Sequence, residues 1–310
     1  MNRPAPDTVF VVCGPTASGK SALALALAQR INGGIVNADS MQVYRGLEIL
    51  SAQPTASERA IIPHLLYGIL DPADVCSAGR WRELALKAIA EVRAAGRVPV
   101  LCGGSGLYLR ALMQGIAPVP TIPADVRAAV RARHAALGNA AFHADLAARD
   151  PETAAGLRAS DPLRMMRAME VLEATGLPLA RWRALPGEGP PAGMAFRTVL
   201  LDPPRADLYA AIEARFRRMV TAGALAEAAA LVARGVDPGS PAMKALGVAE
   251  LARAAAGDIG LEYAVTRAVT LSRNYAKRQV TWFRRQLIAN FSYQEKFSES
   301  LCEKILSEIL

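Results

Sequence analysis

The sequence predicts an α/β protein, in which a doubly wound parallel sheet contains a phosphate-binding loop (P-loop) and carries an inserted all-helical module. Short apolar segments ending in glycine or polar residues alternate with stretches of helix formers, which is typical of parallel sheets. One segment leads into a glycine-rich loop and then a helix. We expect a discontinuous core at 1–117 and 196–290, an insertion at 118–195 and a C-terminal tail at 291–310.

Four segments are strand candidates because they are short, apolar and rich in β-branched residues. A glycine-rich or polar turn directly follows each of the first three. Ligands of open parallel sheets collect beyond the carboxyl ends of the strands, so these turns should meet at one crevice. The candidates are residues 9–13, 34–38, 98–102 and 197–202.

Helix candidates fill the intervals between these strands. Residues 78–95 lie between the second and third strands, and the Ala-rich residues 124–184 contain no strand candidate. Residues 186–191 have the Pro and Gly composition of a linker that leads back to the sheet. Helices at 205–234 and 261–285 complete the core, and the tail after residue 290 is amphipathic.

The loop between the first strand and the first helix has the pattern of a P-loop. Its two glycines allow backbone amides to converge on an anion, and the helix N-terminus adds a favourable dipole. Lys20 supplies a cation, and the Ser21 hydroxyl is the group that usually completes a Mg²⁺ shell shared with phosphates. The alternative is a chance Gly-rich turn, which the strand–loop–helix context disfavours. The predicted diphosphate-binding residues are Gly14, Pro15, Thr16, Ala17, Ser18, Gly19, Lys20 and Ser21.

Composition excludes several other classes of protein. A 310-residue chain with 52% hydrophobic residues is long and apolar enough for a large core plus a second module. We find no signal peptide or membrane span and expect a cytoplasmic protein. The four cysteines lie far apart and are expected to be buried thiols, while the three histidines are scattered. Redox and histidine-based catalysis are therefore not predicted.

The placement of positive charge indicates an anionic partner. The net charge is +8, and residues 264–285 contain six basic residues and no acidic one. Helical spacing places Arg273, Lys277 and Arg284 near one face, whereas Val280 and Phe283 can turn inward. A solvated face would normally intersperse Glu or Asp, so the stripe favours polyanion binding.

Three further residues are candidates for chemistry. Asp39, after the second strand, can accept a proton or hold a donor near the phosphates, although it could instead cap a helix. The Thr16 hydroxyl can reach a bridging or leaving oxygen, or simply fill the loop. Arg215 is one arginine among many on a helix, and the sequence pattern alone favours a surface charge.

Five ordered motifs together resemble the bacterial tRNA dimethylallyltransferases, over about residues 8–286. The P-loop is one of them and Asn37-Ala38-Asp39-Ser40-Met41-Gln42-Val43-Tyr44 another. The others are Gly103-Gly104-Ser105-Gly106-Leu107-Tyr108, Asp161-Pro162-Leu163-Arg164-Met165-Met166-Arg167 and Tyr275-Ala276-Lys277-Arg278-Gln279-Val280-Thr281-Trp282-Phe283-Arg284, with Ala242-Met243-Lys244-Ala245-Leu246-Gly247 as a shorter match.

The resemblance implies transfer of a dimethylallyl group from dimethylallyl diphosphate to the exocyclic N6 amine of the adenosine 3′ of the tRNA anticodon. Thr16 and Lys20 would bind the diphosphate, Ser21 the Mg²⁺, and Arg215 would neutralise the departing pyrophosphate. Asp39 would orient the amine and take its proton. The expected partners are the tRNA anticodon stem-loop and the diphosphate, with no membrane and a monomeric protein.

The resemblance also implies a set of tRNA contacts. Met165 and Met166 are in this set, although helix-core packing is the better sequence-based interpretation for both. The predicted contacts are Asp39, Ser40, Met41, Gln42, Ser105, Arg127, Leu163, Arg164, Met165, Met166, Arg167, Lys244, Gly247, Lys277, Arg278, Gln279, Thr281, Trp282 and Arg284.

The chain departs from the family pattern in two places. Residues 50–53 read Leu-Ser-Ala-Gln where the family usually has Gly-Thr-Ala-Lys, so any contact of a lysine at position 53 is lost. His64-Leu65 stands where the family often has two histidines, and His64 receives no role. The alternatives are a small-molecule kinase, a transferase that prenylates free adenine nucleotides, and a nucleotide-gated RNA-binding protein without turnover.

Overall fold

The computed structural model describes residues 4–185 and 187–310 and divides the chain into two compact units. The first contains the described residues up to Met113 together with Ala192–Leu310, and the second is Gln114–Pro191. The sequence placed these boundaries four residues later and set the tail apart from the core. In the structure the tail belongs to the first unit. Pro186, part of the predicted linker, lies outside the described residues.

The first unit is built on a six-stranded sheet in which every pairing is parallel. This arrangement confirms the predicted fold class. The two outermost strands, of two and three residues, were not predicted. The strands are β1 (Thr8–Cys13), β2 (Gly33–Asn37), β3 (His64–Leu65), β4 (Val98–Gly103), β5 (Ala195–Leu201) and β6 (Phe291–Tyr293), in the spatial order β3-β2-β4-β1-β5-β6.

Residues of β1 alternate between two hydrophobic cores, one on each face of the sheet. Val9 and Val11 belong to one core, whereas Phe10 and Val12 belong to the other, and all four are fully buried. Successive side chains of a strand point to opposite faces. Both faces are therefore covered by helices, as in doubly wound folds, and the continuous apolar sequence of β1 follows from this double burial.

Thirteen α-helices and one short 3₁₀ helix occur among the described residues. The predicted single helix at 205–234 is wrong, because Gly223 (φ 106°) ends one helix and precedes the next. The helices are α1 (Lys20–Arg30), α2 (Ala56–Ile61), α3 (Ala78–Ala94), α4 (Gly106–Met113), α5 (Ala124–Arg149), α6 (Pro151–Ala155), α7 (Pro162–Thr175), α8 (Leu179–Ala184), α9 (Arg205–Thr221), α10 (Ala224–Ala233), α11 (Val248–Ala255), α12 (Leu261–Gln286) and α13 (Glu299–Ile309), with the 3₁₀ helix at Ala242–Lys244.

The second unit is helical and has a hydrophobic core of its own. Phe142 and Leu146 of α5 and Met165 and Met169 of α7 are fully buried in it. The Met165 side chain therefore packs in this core, as the helix-core interpretation predicted, and its contact with tRNA stays a prediction. Met166, the next residue, is half-buried.

The C-terminal tail completes the sheet rather than leaving it. Strand β6 pairs with β5, with Leu201 opposite Tyr293, and the Asp202 amide donates to the Tyr293 carbonyl (2.9 Å). Helix α13 buries Leu301 and Ile305 in the same core as residues of α1. The amphipathic pattern of the tail thus reflects packing against the helix that follows the P-loop.

Candidate active site

The two glycines of the P-loop lie where no side chain fits. A Cβ atom on Gly14 would come within 2.5 Å of the Leu201 carbonyl oxygen. Gly19 has a left-handed backbone (φ 90°), and its Cβ would lie 2.3 Å from Cγ of Phe297. These approaches set the path of the loop from the end of β1 to the start of α1, as the sequence pattern predicted.

Polar groups inside the loop are only partly satisfied by the protein. The Lys20 ammonium donates to the Pro15 carbonyl (3.2 Å), within the loop itself. The Ser18 hydroxyl is buried and has no hydrogen-bond partner among the described residues. A buried polar group without a partner is costly, so an acceptor or donor supplied by a ligand would stabilise the loop.

Gln279 of α12 ties the P-loop to the turn after β4. Its Oε1 accepts from the Thr16 amide (2.8 Å), and its Nε2 donates to the Gly104 carbonyl (2.9 Å). The side chain is buried. The Gln279 amide thus holds two turns of the site together, and its contact with tRNA stays a prediction.

Arg215 lies beside the P-loop and not on the free surface. Its Nη1 donates to the Thr16 hydroxyl (3.2 Å), and the side chain of this α9 residue is half-buried. Burial lowers the pKa of Arg215 and of Lys20, while the negative charge of Asp39 opposes the shift in both. Two partly desolvated cations therefore flank Thr16, which is an arrangement that favours a bound anion.

Asp39 follows β2 and is held by its neighbours. Its amide donates to Oδ1 of Asn37 (2.8 Å), and its own Oδ1 accepts from the Met41 amide (2.9 Å). No helix starts here, so the helix-cap alternative for Asp39 is wrong, and the carboxylate closes an Asx turn instead. The remaining carboxylate oxygen, Oδ2, has no hydrogen bond among the described residues and is available to a substrate.

The turns after β2 and β4 meet, as the strand arrangement predicted. The Ser40 amide donates to the Ser105 hydroxyl (2.8 Å), which in turn donates to the Ser40 hydroxyl (3.1 Å). Tyr275 of α12 lies beside them: burial, followed by the charge of Asp39, raises the pKa of its phenol, and the Ser105 side chain opposes this shift. Sequence reasoning gave Tyr275 no role, although it begins one of the quoted motifs.

A cavity of about 1190 Å³ opens beside the P-loop. Its wall contains Lys20, Ser21 and Arg215 at the loop, and apolar side chains such as Leu25, Ile35 and Met219 elsewhere. The cavity can therefore hold a molecule with an anionic end and an apolar end. Sequence reasoning did not single out the further arginines in its wall, which are Arg45, Arg59 and Arg218.

Gln53, where the family pattern has lysine, is buried in the wall of this cavity. Its Nε2 donates to the Tyr44 carbonyl (2.8 Å), and its Oε1 accepts from Arg59 (3.2 Å). A cation therefore remains near position 53, supplied by Arg59. His64, which also lines the cavity, donates from Nδ1 to the Ile62 carbonyl (2.8 Å), and burial lowers its pKa.

Ser21 is exposed to the cavity, where its hydroxyl is a hard oxygen ligand of the kind Mg²⁺ prefers. Across residues 4–185 and 187–310, no cluster of three or more His, Cys, Asp or Glu side chains could hold a metal ion. All four cysteines are free thiols. Burial raises the pKa of Cys102 to about 11, so its thiolate is disfavoured near neutral pH.

The basic stripe of α12 is partly neutralised by acids from other elements. Arg273 pairs with Glu213 (2.7 Å) and Arg284 with the buried Asp202 (2.8 Å). Lys277 is exposed and has no ion pair in the described part of the chain. The predicted contacts that remain exposed on the first unit are Lys244, Lys277, Arg278, Thr281 and Arg284.

Four other predicted tRNA contacts have packing roles in the structure. Gly247 is buried, and a Cβ there would lie 2.7 Å from the Phe216 ring, so this position packs against α9, and its contact with tRNA stays a prediction. The Gln42 side chain donates to the Ser51 and Ala52 carbonyls, although it also lines the cavity. Half-buried Trp282 covers Gly106, and Met41 packs against the core.

The remaining predicted contacts of the second unit lie near the starts of α5 and α7. Leu163, at the beginning of α7, is 68% exposed. Arg164 is exposed and pairs with Asp161 (3.3 Å), and Arg167 is half-buried and pairs with Glu170 (3.6 Å). Arg127 of α5 is half-buried, with a buried Nε that lacks a partner.

The fold and the site define a P-loop protein in which a carboxylate faces a cationic phosphate-binding loop. The family model described as IPP transferase matches residues 42–286, and the chain belongs to this family. It is 55% identical to a tRNA dimethylallyltransferase of Rhodospirillum centenum, over 92% of this chain and 91% of that protein. It is 51% identical to one from Rhodospirillum rubrum, over 100% of this chain and 95% of that protein.

This chain is also similar to solved structures. A full-length tRNA isopentenylpyrophosphate transferase from Bacillus halodurans is 32% identical, with a TM-score of 0.69, and the match covers 98% of this chain and 95% of that one. A eukaryotic dimethylallyltransferase acting on tRNA shares the fold, with a TM-score of 0.77 at 24% identity, over 91% of this chain and 71% of that one. No helix in the described residues is long and apolar enough to cross a membrane.

Proposed function

We propose that the protein transfers a dimethylallyl group from dimethylallyl diphosphate to the N6 amine of the adenosine 3′-adjacent to the anticodon in tRNA. The observation that carries this proposal is the contact of Arg215 with Thr16 inside a P-loop whose Lys20 is also desolvated, with the charge of Asp39 acting on both cations. The names of the relatives, at about half identity over nearly the whole chain, support it.

The site can separate charge in the way this reaction requires. The bond between the allylic carbon and the diphosphate oxygen breaks, and pyrophosphate leaves with the electron pair. Lys20, Arg215 and the loop amides stabilise the charge that develops on this leaving group. The amine nitrogen then forms the new bond to carbon, and its proton passes to the Asp39 carboxylate, whose Oδ2 has no hydrogen-bond donor among the residues that the structure describes.

Orientation of the acceptor follows from the turns after β2 and β4. Asp39 is fixed by Asn37 and by the Met41 amide, so little reorganisation is needed when the amine arrives. Ser40, Ser105 and Tyr275 form a polar cluster beside it. The target adenosine must leave its stack to reach these groups, at a cost of a few kcal/mol that other RNA contacts offset.

Mg²⁺ is the metal that this site fits. The Ser21 hydroxyl would be its protein ligand, and the ion would be held mainly through the diphosphate, because the described residues offer no carboxylate cage. The ion would reduce the negative charge of the diphosphate and so favour its departure. ATP is not required by this chemistry.

RNA binding is proposed for two surfaces, considered separately. The surface on the first unit consists of the exposed cations of α12 and of Lys244. The surface on the second unit is the start of α7, with Leu163, Arg164 and Arg167. Phosphate contacts would supply most of the affinity and make it salt-dependent. We further propose that the protein acts as a monomer in the cytoplasm, where its tRNA substrate is found.

The decisive experiment is transfer of a labelled dimethylallyl group from dimethylallyl diphosphate and Mg²⁺ to unmodified tRNA transcripts. Free adenylate as acceptor and an ATPase assay are run in parallel. Transfer to tRNA alone is expected. Transfer to free adenylate alone would assign the activity to a nucleotide prenyltransferase, and ATP consumption without transfer to either acceptor would assign it to a kinase or an ATPase.

A further inference from the structure

The C-terminal tail touches the P-loop at one side chain, Phe297. A Cβ atom on Gly19 would lie 2.3 Å from Cγ and 2.5 Å from Cβ of Phe297, so the phenylalanine occupies the space that a side chain at Gly19 would take. Gly19 directly precedes Lys20, the first residue of α1. The ring therefore lies against the backbone that presents the phosphate-binding amides.

Phe297 is held there from both sides along the chain. On one side, β6 is paired with β5, and the Tyr293 carbonyl accepts from the Asp202 amide (2.9 Å). On the other side, Ser298 caps α13 by accepting from the Leu301 amide (3.1 Å), and α13 packs in the same core as α1. The short segment between two anchored elements fixes the position of the ring over Gly19.

The loop needs support from outside because it has little of its own. Gly19 has a left-handed backbone, α1 has no side-chain cap at its start, and the Ser18 hydroxyl has no partner among the described residues. Glycine loses more conformational freedom on ordering than any other residue. A side chain packed on Gly19 reduces the number of backbone conformations that the loop can adopt. The binding of a diphosphate then has to offset a smaller loss of conformational entropy.

We propose that the tail is part of the diphosphate site and that Phe297 is a positioning residue, which holds Gly19 and the start of α1 in the anion-binding conformation. The proposal rests on the assignment of a diphosphate as the ligand of the P-loop. It extends the site beyond the matched family region, which ends at residue 286. Phe297 touches the loop and not the reacting atoms, so it acts on ground-state binding more than on the chemical step.

The test is Phe297→Ala in the full-length protein, with binding of Mg²⁺-pyrophosphate measured by calorimetry and the KM for dimethylallyl diphosphate measured separately from kcat. We expect both the pyrophosphate Kd and this KM to rise about tenfold, below the roughly hundredfold that a 1 Å misplacement costs. The kcat should stay within about twofold of the value for the unaltered protein. The variant loses binding energy that is equal in the ground state and the transition state, so the barrier of the chemical step does not change. Phe297→Leu keeps an apolar group over Gly19 and should restore most of the affinity.

Ile305→Ala is the matched control. Ile305 is fully buried in the core shared with α1, and it lies in α13 away from the segment that touches Gly19. The Ile305→Ala variant should lower the melting temperature at least as much as Phe297→Ala does. It should leave the affinity for pyrophosphate unchanged at a temperature where both variants are folded. An unchanged Kd in Phe297→Ala, or an equal loss in Ile305→Ala, would overturn the proposal. Calorimetry needs no turnover, so failure of prenyl transfer in the unaltered protein would count against the proposed reaction alone.

Discussion

The cations at the P-loop and those on α12 differ in their surroundings. Arg215 and Lys20 are partly desolvated, and Arg215 touches Thr16 of the loop. On α12, Arg284 is 59% exposed at its side chain and paired with an acid, while Lys277 is fully open to solvent. A desolvated charge contributes strongly to one defined contact, whereas exposed charges each contribute little and are screened by salt. The first set suits a small anion in a fixed pose, and the second suits a polyanion.

The largest effect is expected at Asp39. Asp39→Asn keeps Oδ1 for the Met41 amide, so the turn should persist while the proton acceptor is lost. The rate of prenyl transfer should fall by about 10²–10⁴, with tRNA affinity retained. Single-turnover rates beside filter binding of tRNA measure both quantities. Equal losses in rate and in tRNA affinity would mean that Asp39 serves mainly to bind RNA.

Arg215→Ala should lower kcat/KM for dimethylallyl diphosphate by about 10²–10³, as loss of one preorganised charge at a leaving group does. Arg217→Ala is the matched control, because Arg217 lies on the same helix but is exposed and pairs with Glu262 (3.2 Å). The Arg217→Ala variant should keep a kcat/KM for dimethylallyl diphosphate close to that of the unaltered protein. Equal losses of activity in both variants would show that the position of Arg215 beside the P-loop does not set it apart from an exposed arginine of the same helix.

Arg284→Ala should act on stability as much as on RNA binding. Asp202 is buried, and its Oδ2 accepts from Arg284 Nε while its Oδ1 has no partner. Removal of the arginine leaves a buried carboxylate without its donor, which costs about 1–3 kcal/mol in the free energy of unfolding. Urea denaturation measures this cost. Asp202→Asn in the Arg284→Ala background should recover part of it, and no recovery would show that the pair is not the cause.

The smallest effect is expected at Lys277, whose side chain has no ion pair in the described part of the chain. Lys277→Ala should weaken tRNA binding several-fold and reduce the slope of log K against log salt by about 1. Stability and the KM for dimethylallyl diphosphate should not change. Filter binding at several salt concentrations measures the slope, and an unchanged slope would remove Lys277 from the RNA surface.

The sequence predicted the fold class and the P-loop because both depend on local patterns. The four longer strands, the loop and the meeting of the turns at Asp39 and Ser105 all follow from short motifs in a fixed order. The strands β3 and β6 were missed because two or three residues give no periodic signal, and their pairing depends on neighbours distant in the sequence.

Individual site residues were harder to predict, since a motif does not separate residues that touch a ligand from those that position them. Gln279, Gly247 and Met165 occur in the quoted motifs, yet each is buried. Arg215 shows the converse, because its sequence pattern favoured a surface charge and only tertiary contact places it on Thr16. Tyr275 could have been found from its place in the α12 motif, but its contact with Ser105 required the fold.

The contact between Phe297 and Gly19 joins nearly the first element of the chain to nearly the last. Synthesis proceeds from the N-terminus, so the P-loop and α1 leave the ribosome well before β6 and α13 exist. Contacts between such distant residues also form late in folding, because a long loop must close first. The P-loop of the nascent chain is therefore without the Phe297 contact until β6 and α13 have been synthesised.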